Sequence, residues 1–293
     1  MPAKHRLASL LLPRLLQWLG QRSLPTLHRL GGAAGLATYW LATRYRQHLR
    51  GNLARALGRE PTRKERHRAA KNAGRMMLEL PWIWQQPLPR VLSQVLDVEG
   101  WEHLEAARAE GRPILALTPH IGCFEITSLY VGEHMPVTIL YRPPKQTYVE
   151  PLLRAGRAQG AVSLAPADLS GVRRLIRAMR QGEMAGLLPD QAPGKGEGIW
   201  SPFFGKPAYT MTLAARLSQV DNAIVLFFWG ERFSRRGWRI HVSPPTEAIT
   251  GSLEERVHAI NRNLESLILR CPTQYLWGYN RYKRPAGAEP PPQ

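Results

Sequence analysis

From residue 113 onward, short apolar runs alternate with segments whose apolar residues recur every three or four positions. A buried strand needs only four to eight apolar residues, whereas recurrence at three and four positions is typical of a helix with one buried face. Strands are predicted at 113–118, 137–141, near 162, 184–189, 223–229 and 238–242, and helices at 122–133, 149–159, 168–181, 210–219 and 252–270. Strands that alternate with helices predict an α/β fold, with a mainly parallel mixed sheet flanked by helices.

An apolar and amphipathic helical segment is predicted at residues 1–43. Its apolar run at 7–12 is interrupted by Pro13 and Arg14, and no stretch reaches about 18 uninterrupted apolar residues. A second apolar segment runs from 30 to 42. One helix face carries Leu10, Leu11, Leu15, Trp18 and Leu19. The pattern favours a membrane-associating segment at an anionic interface. Helices packed on the protein's own core and a single-span anchor are the alternatives.

A strongly basic stretch follows the apolar segment. Between Arg44 and Arg75 there are eleven Lys and Arg residues, with Glu60 and Glu65 as the acids. Over the whole chain, 40 Lys and Arg oppose 22 Asp and Glu, which gives a formal charge of +18. Such a charge predicts an acidic partner, which is a nucleic acid, an anionic membrane surface or an acidic protein.

Capping patterns and a proline-rich end delimit the remaining chain. Thr62 with Glu65, and Ser252 with Glu255, place a hydroxyl three residues before a Glu, which is the capping box that begins a helix. The sequence PAGAEPPPQ predicts a disordered tail at 285–293. One domain is therefore predicted at 44–284, between the apolar segment and the tail.

The segment TPHIGCFE, residues 118–125, places His120 just after a predicted strand and before a predicted helix. Sites of α/β proteins lie at the carboxyl ends of parallel strands, so this position favours a functional histidine. Gly122 permits a tight turn, and His120 in that turn is predicted to meet Glu125 in the first helical turns. A carboxylate beside a histidine fixes its tautomer and makes it a stronger base. This spacing is expected about once by chance in such a chain, so a structural His with a solvated Glu is the alternative.

Other kinds of catalytic and metal sites lack their sequence patterns. The chain has no G-x-S-x-G elbow, no G-x-G-x-x-G loop and no Walker loop. Its two cysteines, Cys123 and Cys271, form neither a disulfide framework nor a metal-binding pattern. The nine His residues are scattered without the spacing of metal ligands, so no metal site is expected.

Four sequence blocks in order carry a resemblance to a known family. They are TPHIGCFE (118–125), YRPPK (141–145), LLPDQAPGKGEGIWSPFFGKPAYT (187–210) and PTQYLWGYNRYKRP (272–285). With the apolar N-terminus and the basic RGNLARAL (50–57), they resemble the bacterial lipid A biosynthesis acyltransferases. These late lauroyl/myristoyl transferases belong to the wider H-x4-D/E glycerolipid acyltransferase group. The resemblance covers nearly the whole chain. It departs after P-D-Q, where some relatives carry an Asp and this chain has Ala192-Pro193-Gly194.

The resemblance implies a role for each matching residue. His120 and Glu125 match the catalytic pair of the H-x4-E motif, in which the His takes a hydroxyl proton and the Glu orients it. Arg142 matches the Y-R-P block and is a candidate to hold a phosphate or stabilise an oxyanion, since a guanidinium suits either; a solvated surface Arg beside a turn is the alternative. Asp190 and Gln191 match further substrate-binding positions, and Asp190 is expected to position Arg142 or the acceptor.

The resemblance also implies substrates and a location. The acyl chain would pass from the phosphopantetheine thioester of acyl carrier protein directly to a hydroxyl of a lipid A precursor, with no separate cofactor. Acyl carrier protein is acidic and the acceptor is a phosphorylated glycolipid, so a basic enzyme at the cytoplasmic face of the inner membrane attracts both. Another lipid acceptor is the alternative within the enzyme class: a lysophospholipid, an ornithine lipid or a phosphatidylinositol mannoside. A nucleic-acid-binding protein is the alternative outside it, but no recognised motif for that function is present.

Overall fold

The computed structural model describes residues 3–144, 146–194 and 196–292. The α-helices within these residues are α1 (Ala3–Gly20), α2 (Leu24–Leu41), α3 (Thr43–Leu57), α4 (Arg63–Gln85), α5 (Leu88–Leu92), α6 (Trp101–Ala109), α7 (Phe124–His134), α8 (Glu150–Arg157), α9 (Leu169–Arg180), α10 (Leu213–Leu217) and α11 (Leu253–Arg270). The strands within them are β1 (Val95–Glu99), β2 (Ile114–Leu117), β3 (Val137–Tyr141), β4 (Val162–Pro166), β5 (Met184–Leu187), β6 (Gly198–Phe203), β7 (Lys206–Met211), β8 (Ile224–Phe233) and β9 (Gly237–Ser243).

A mixed sheet with the strand order β1-β9-β8-β2-β5-β3-β4 forms the centre of the described chain. Strands β8 and β9 pair antiparallel, and the other neighbours pair in parallel. The predicted α/β fold with a mainly parallel mixed sheet is therefore confirmed. Four residues of β2 are buried on both faces because helices cover both sides of the sheet.

Alternate residues of each central strand enter two different cores. Leu115 and Leu117 of β2 pack in the core beneath α9 and α11, whereas Ile114 and Ala116 pack in the core beneath α1 and α7. This alternation follows from the two-residue side-chain period of a strand. The two cores define two faces of the molecule, which we call the α9 face and the α7 face.

Helix α2 crosses α4 at a contact between small residues. A Cβ added to Gly74 would lie 2.0 Å from the carbonyl oxygen of Gly31, and one added to Gly35 would lie 2.1 Å from that of Ala70. The two backbones therefore approach too closely for any side chain at these glycines.

The predicted domain boundary at residue 43 falls at the short break between α2 and α3.

The N-terminal segment also exposes apolar side chains. Leu11, Leu15 and Trp18 of α1 are each about half exposed, at 52, 50 and 47%. Among the helices of residues 3–144, 146–194 and 196–292, none is both long and apolar enough to cross a membrane. Membrane association of residues 1–43 stays a prediction.

Most predicted elements are confirmed, and both predicted capping boxes form. The helix predicted at 210–219 is much shorter, because β7 extends to Met211 as part of an unpredicted antiparallel hairpin with β6. Phe204 and Gly205 form its turn with φ of 47° and 70°, as a two-residue type I′ turn requires. The tail from 285 has no helix or strand among its described residues, but Trp200 Nε1 donates to the carbonyl of Glu289 at 2.9 Å.

Candidate active site

The candidate site lies at the carboxyl ends of two neighbouring parallel strands. Strand β2 ends at Leu117 and β5 ends at Leu187, and these two residues are directly paired in the sheet. The pairing continues for one further step, since Thr118 N donates to the Leu187 carbonyl at 3.1 Å. His120 and Asp190 each lie three residues beyond a strand end. Equal offsets on paired parallel strands bring the two side chains together.

His120 and Asp190 make two hydrogen bonds. The Nδ1–H of His120 donates to Asp190 Oδ1 at 2.8 Å, and the backbone N–H of His120 donates to Oδ2 at 2.9 Å. The side chain of Asp190 is 1% exposed and that of His120 is 17% exposed. A carboxylate on Nδ1 fixes the tautomer in which Nε2 is free to accept a proton. The side-chain amide of Gln191 lies 3.2 Å from this Nε2 and donates to it.

Asp190 remains ionised in its buried position. Burial raises the pKa of this carboxyl, but the charge and the two hydrogen bonds of His120 outweigh it, so the pKa lies below its usual value. Tyr275 also helps to lower the pKa of Asp190, and burial raises the pKa of Tyr275 itself well above its usual value. Tyr275 therefore stays a hydrogen-bond donor, and the site is a buried carboxylate with a half-buried histidine.

The predicted contact between His120 and Glu125 is wrong. Glu125 lies in the first turn of α7 and points toward α8, where Arg157 Nε donates to its two carboxylate oxygens at 2.8 and 3.0 Å. The side chain of Glu125 is 3% exposed and that of Arg157 is 20% exposed. The ring of His120 lies instead against Phe124, with 4.9 Å between ring centroids. Positions 120 and 125 are therefore close in the chain but have different partners.

The predicted link between Asp190 and Arg142 is also not formed: Asp190 is bonded to His120, and Arg142 lies beside Glu197. Arg142 follows the end of β3, and its side chain is 66% exposed. Its Nη2 lies 3.6 Å from Glu197 Oε2 across the loop that follows Asp190. Lys145 of the same sequence block lies outside the described residues. Arg142 is thus an exposed cation near the mouth of the site rather than a partner of Asp190.

A cavity of about 60 Å³ lies between α7 and the sheet. Glu125 and Arg157 line it near the strand ends, and Gly186, Val137 and Met184 line it further along the strands. The other lining side chains are mostly apolar and include Val131, Ile139, Leu140, Leu187, Leu188 and Phe228. Along β5 and just beyond it, the lining residues are Met184, Gly186, Leu187 and Leu188. Its mostly apolar lining suits an acyl chain, and its volume has room for part of one.

The loop that carries His120 is held by backbone contacts. Gly122 has φ of 55°, and a Cβ there would lie 1.9 Å from the carbonyl of Gly230. Gly122 N donates to the Gln274 carbonyl at 3.1 Å, and Leu276 N donates to the His120 carbonyl at 3.1 Å. The block at 272–285 therefore supports the loop that the block at 118–125 forms.

A buried ion pair lies directly beneath this loop. Glu79 of α4 pairs with Arg232 of β8, and both side chains are 0% exposed. Arg232 Nη2 also donates to the Gly122 carbonyl. His28 of α2 donates from Nε2 to Glu79 at 2.9 Å, and Trp238 Nε1 donates to it at 3.2 Å. The network connects α2 and α4 to the His120 loop, and no sequence motif indicated it.

Cys123 is not a candidate nucleophile. It is fully buried beside the loop, and burial raises the pKa of its thiol well above the usual value. A buried thiol of this kind is inert. Within the described ranges, no group of three or more His, Cys, Asp or Glu side chains is placed to hold a metal ion. The arrangement supplies one base with its carboxylate and an apolar cavity, which suits transfer of an acyl group to a hydroxyl.

Comparison with known proteins agrees with this chemistry. The family model described as "Bacterial lipid A biosynthesis acyltransferase" matches residues 10–284. The chain is 27% identical to the lipid A biosynthesis palmitoleoyltransferase of Escherichia coli, over 74% of this chain and 71% of that protein. It is 26% identical to the lipid A biosynthesis lauroyltransferase of Escherichia coli, over 95% of both chains. It is also 26% identical to a phosphatidylinositol mannoside acyltransferase of Mycobacterium tuberculosis, over 88% of this chain and 84% of that protein.

Proposed function

The chain belongs to the bacterial lipid A biosynthesis acyltransferase family, and from that premise we propose its donor, acceptor and mechanism. The donor is a fatty acyl thioester on the phosphopantetheine of acyl carrier protein. The acceptor is a hydroxyl of a phosphorylated lipid A precursor, in a late secondary acylation. The transfer is direct, with His120 as the general base and no acyl-enzyme.

The geometry of His120 carries this proposal. Its Nε2 takes the proton of the attacking hydroxyl as the new C–O bond forms, and Asp190 at 2.8 Å from Nδ1 stabilises the resulting imidazolium. The C–S bond then breaks, and the same proton passes from Nε2 to the departing thiolate. A positioned base of this kind accelerates such a step by about 10²–10⁴-fold. Gln191 leaves Nε2 when the acceptor binds, since both use the same lone pair.

Glu125 has a different role in this proposal from the one the motif suggested. It holds Arg157 at the wall of the cavity, and Arg157 keeps a raised pKa because the charge of Glu125 outweighs the effect of burial. The acyl chain lies along the apolar part of the cavity, with its carbonyl at the carboxyl edge. A fixed cation in that wall stabilises the negative charge that develops on the thioester oxygen. Arg142, exposed at the mouth, binds a phosphate of the acceptor.

Peripheral association with the cytoplasmic face of the inner membrane is part of the proposal. Trp40 and Leu41 at the end of α2 are 53 and 85% exposed, in addition to the exposed residues of α1. Apolar side chains of this kind enter the acyl boundary of a bilayer, while the net charge of +18 favours anionic lipids. The enzyme would thus meet an acceptor that is itself embedded in the membrane.

The test is acyl transfer by purified wild type and His120→Ala, with acyl carrier protein thioesters and a lipid A precursor. We expect His120→Ala to lose at least about 100-fold in kcat while it keeps the wild-type melting temperature. A folded variant with a near wild-type rate contradicts the assignment of His120.

A second acceptor class is supported by the similarity to the phosphatidylinositol mannoside acyltransferase. The same His120–Asp190 pair would act, and only the acceptor would differ. Parallel assays with a lipid A precursor, a lysophospholipid and a phosphatidylinositol mannoside distinguish the two. Transfer to the lipid A precursor alone supports the main proposal, and transfer only to another acceptor overturns it.

A further inference from the structure

Helix α9 presents a row of exposed arginines at the surface of the protein. Its exposed cations are Arg173, Arg174, Arg177 and Arg180, which we call the arginine face of α9. None of them takes part in an ion pair within the described part of the chain, whereas the exposed Arg262 pairs with Glu247. The helix contains no Asp or Glu, and the carboxylate of Asp168 caps the N–H groups of its first turn. Among the described residues, Asp168 therefore bonds to the start of the helix and forms no ion pair with the row.

Such a row has an energetic cost in the isolated protein. Like charges four positions apart on a helix repel each other and destabilise it. Arg173 and Arg177 have this spacing, and Arg180 continues the same side three residues later. The row from Arg173 to Arg180 is about 10 Å long. A partner with complementary negative charge would remove this repulsion.

The position of α9 connects this row to the active site. The helix begins directly after β4, and the turn before it is fixed by Ala167 N, which donates to the Tyr141 carbonyl at 3.0 Å. Strand β4 lies two strands from β5 in the sheet, so the start of α9 is about 10 Å along the edge from the strand that leads to Asp190. Leu169, four residues before Arg173, is 77% exposed at this start. An apolar contact therefore adjoins the cations at the end nearest the site.

The row lies on the opposite side of the sheet from the exposed apolar residues of α1. Leu175 and Met179 of α9 pack in the core of the α9 face, whereas Leu19 of α1 packs in the core of the α7 face. A flat membrane that contacts Leu15 and Trp18 of α1 would leave α9 directed away from it. With α1 on the membrane, this placement favours a soluble acidic partner over an anionic lipid surface. Trp40 and Leu41 follow Tyr39, which packs in the core of the α9 face, so vesicle binding has to be measured as well.

We propose that the arginine face of α9, together with Leu169, is the docking surface for the acidic acyl carrier protein that delivers the acyl chain. This inference rests on the proposed function, since it assigns a surface to the donor of the same reaction. Acidic side chains of the carrier pair with the arginines, and its prosthetic arm reaches over the strand ends to His120. Charge pairs at the rim of such an interface act mainly on the association rate and depend strongly on salt.

The test compares two double charge reversals with the same change in net charge. Arg173→Glu/Arg177→Glu alters the docking surface, and Arg108→Glu/Arg236→Glu alters two exposed arginines elsewhere. Transfer is measured with an acyl carrier protein thioester and with the corresponding neutral acyl-pantetheine thioester. We expect the α9 variant to raise the KM for the carrier thioester by at least about tenfold at low salt, with kcat unchanged. This rise in KM should be smaller at about 1 M salt, where the Debye length is about 3 Å.

The controls separate a loss of carrier docking from a loss of catalysis and from a loss of membrane binding. Transfer from acyl-pantetheine and co-sedimentation with anionic vesicles should stay at wild-type values in the α9 variant. An equal rise in KM for the carrier in both variants, or no rise in either, overturns the docking surface. Loss of vesicle binding in the α9 variant assigns the row to a membrane instead and also overturns it. A wild type that uses acyl-pantetheine but no carrier thioester contradicts the proposed donor, which is a different failure.

Discussion

Replacing Asp190 by Asn tests the pairing that the sequence motif did not suggest. The two oxygens of Asp190 each accept from His120, one from Nδ1–H and one from the backbone N–H. An Asn can satisfy only one of these donors. If its oxygen faces Nδ1, its NH2 group faces the backbone N–H. If it is reversed, its NH2 group faces Nδ1 and moves the ring proton to Nε2, the atom that must accept the hydroxyl proton.

The expected magnitude follows from the lost charge. Opposite unit charges about 4 Å apart attract by about 4 kcal/mol at an effective dielectric constant near 20, and this attraction exists only once His120 is protonated. It therefore stabilises the transition state relative to the ground state. An energy of about 4 kcal/mol corresponds to a factor of about 10³ in the rate constant. The comparable Asp→Asn change in a Ser-His-Asp triad lowers kcat by about 10⁴. We expect Asp190→Asn to lower kcat by about 10³–10⁴ with little change in KM.

The assay is single-turnover acyl transfer, with circular dichroism to show that each variant is folded. Asp97→Asn on β1 is the matched control, because Asp97 is exposed, lies 3.4 Å from Arg239 and accepts from Val98 N rather than from a histidine. Its rate should equal that of wild type. A folded Asp190→Asn that keeps more than about a tenth of the wild-type kcat would disprove this role of Asp190. This role of Asp190 would also be disproved if Glu125→Gln lost single-turnover acyl transfer while Asp190→Asn kept it.

Three further predictions concern stability. Gly74→Ala should destabilise the fold by about 1–3 kcal/mol or more, because the new Cβ meets backbone atoms of α2 at 2.0 Å. The matched change Gly51→Ala, where no atom lies within 4 Å, should stabilise α3 by about 0.5–1 kcal/mol. Urea unfolding measures both, and equal effects would contradict the close crossing. Arg232→Met should cost about 3–5 kcal/mol in the same assay, because it removes the arginine that neutralises the buried Glu79 carboxylate and leaves His28 and Trp238 as its donors. A loss below about 1 kcal/mol would contradict this. Folding lowers the pKa of Asp190 and of Glu79, so the unfolded chain binds more protons as the pH falls. The stability from these two groups should be complete at neutral pH and decline as the pH falls through about 4 and below, which thermal unfolding between pH 7 and 3 measures. A melting temperature that rises over this range would contradict the ionised state of both carboxylates.

Elements with a clear period or a local cap could be predicted from the sequence. The capping boxes at Thr62 and Ser252 form because their hydrogen bonds involve residues only three positions apart. Strand β1 was not predicted because its five residues are mostly exposed or partly exposed and carry no apolar run. The β6–β7 hairpin was hidden by prolines at 202 and 207, which are unusual inside strands but are tolerated in an isolated pair.

The candidate site could be predicted only in part. The position of His120 at a strand end was correct because that prediction depends on local sequence and on the general geometry of parallel sheets. Its partner Asp190 is 70 residues away and is brought to it by the pairing of β2 with β5, which no local pattern encodes. Arg157 could not be distinguished from other arginines, since only the packing of α8 against the cavity wall brings it to Glu125.

Lipid A from living cells gives the most direct test of the proposed acyl transfer and of the His120–Asp190 pair. A strain that lacks this protein is complemented with wild type, His120→Ala or Asp190→Asn at matched expression, and its lipid A is analysed by mass spectrometry. We expect that the deletion strain lacks one secondary acyl chain, that wild type restores it, and that neither variant does. Lipid A that is identical in the deletion strain and in wild type would contradict the proposed acceptor, and full restoration by His120→Ala would contradict the proposed base.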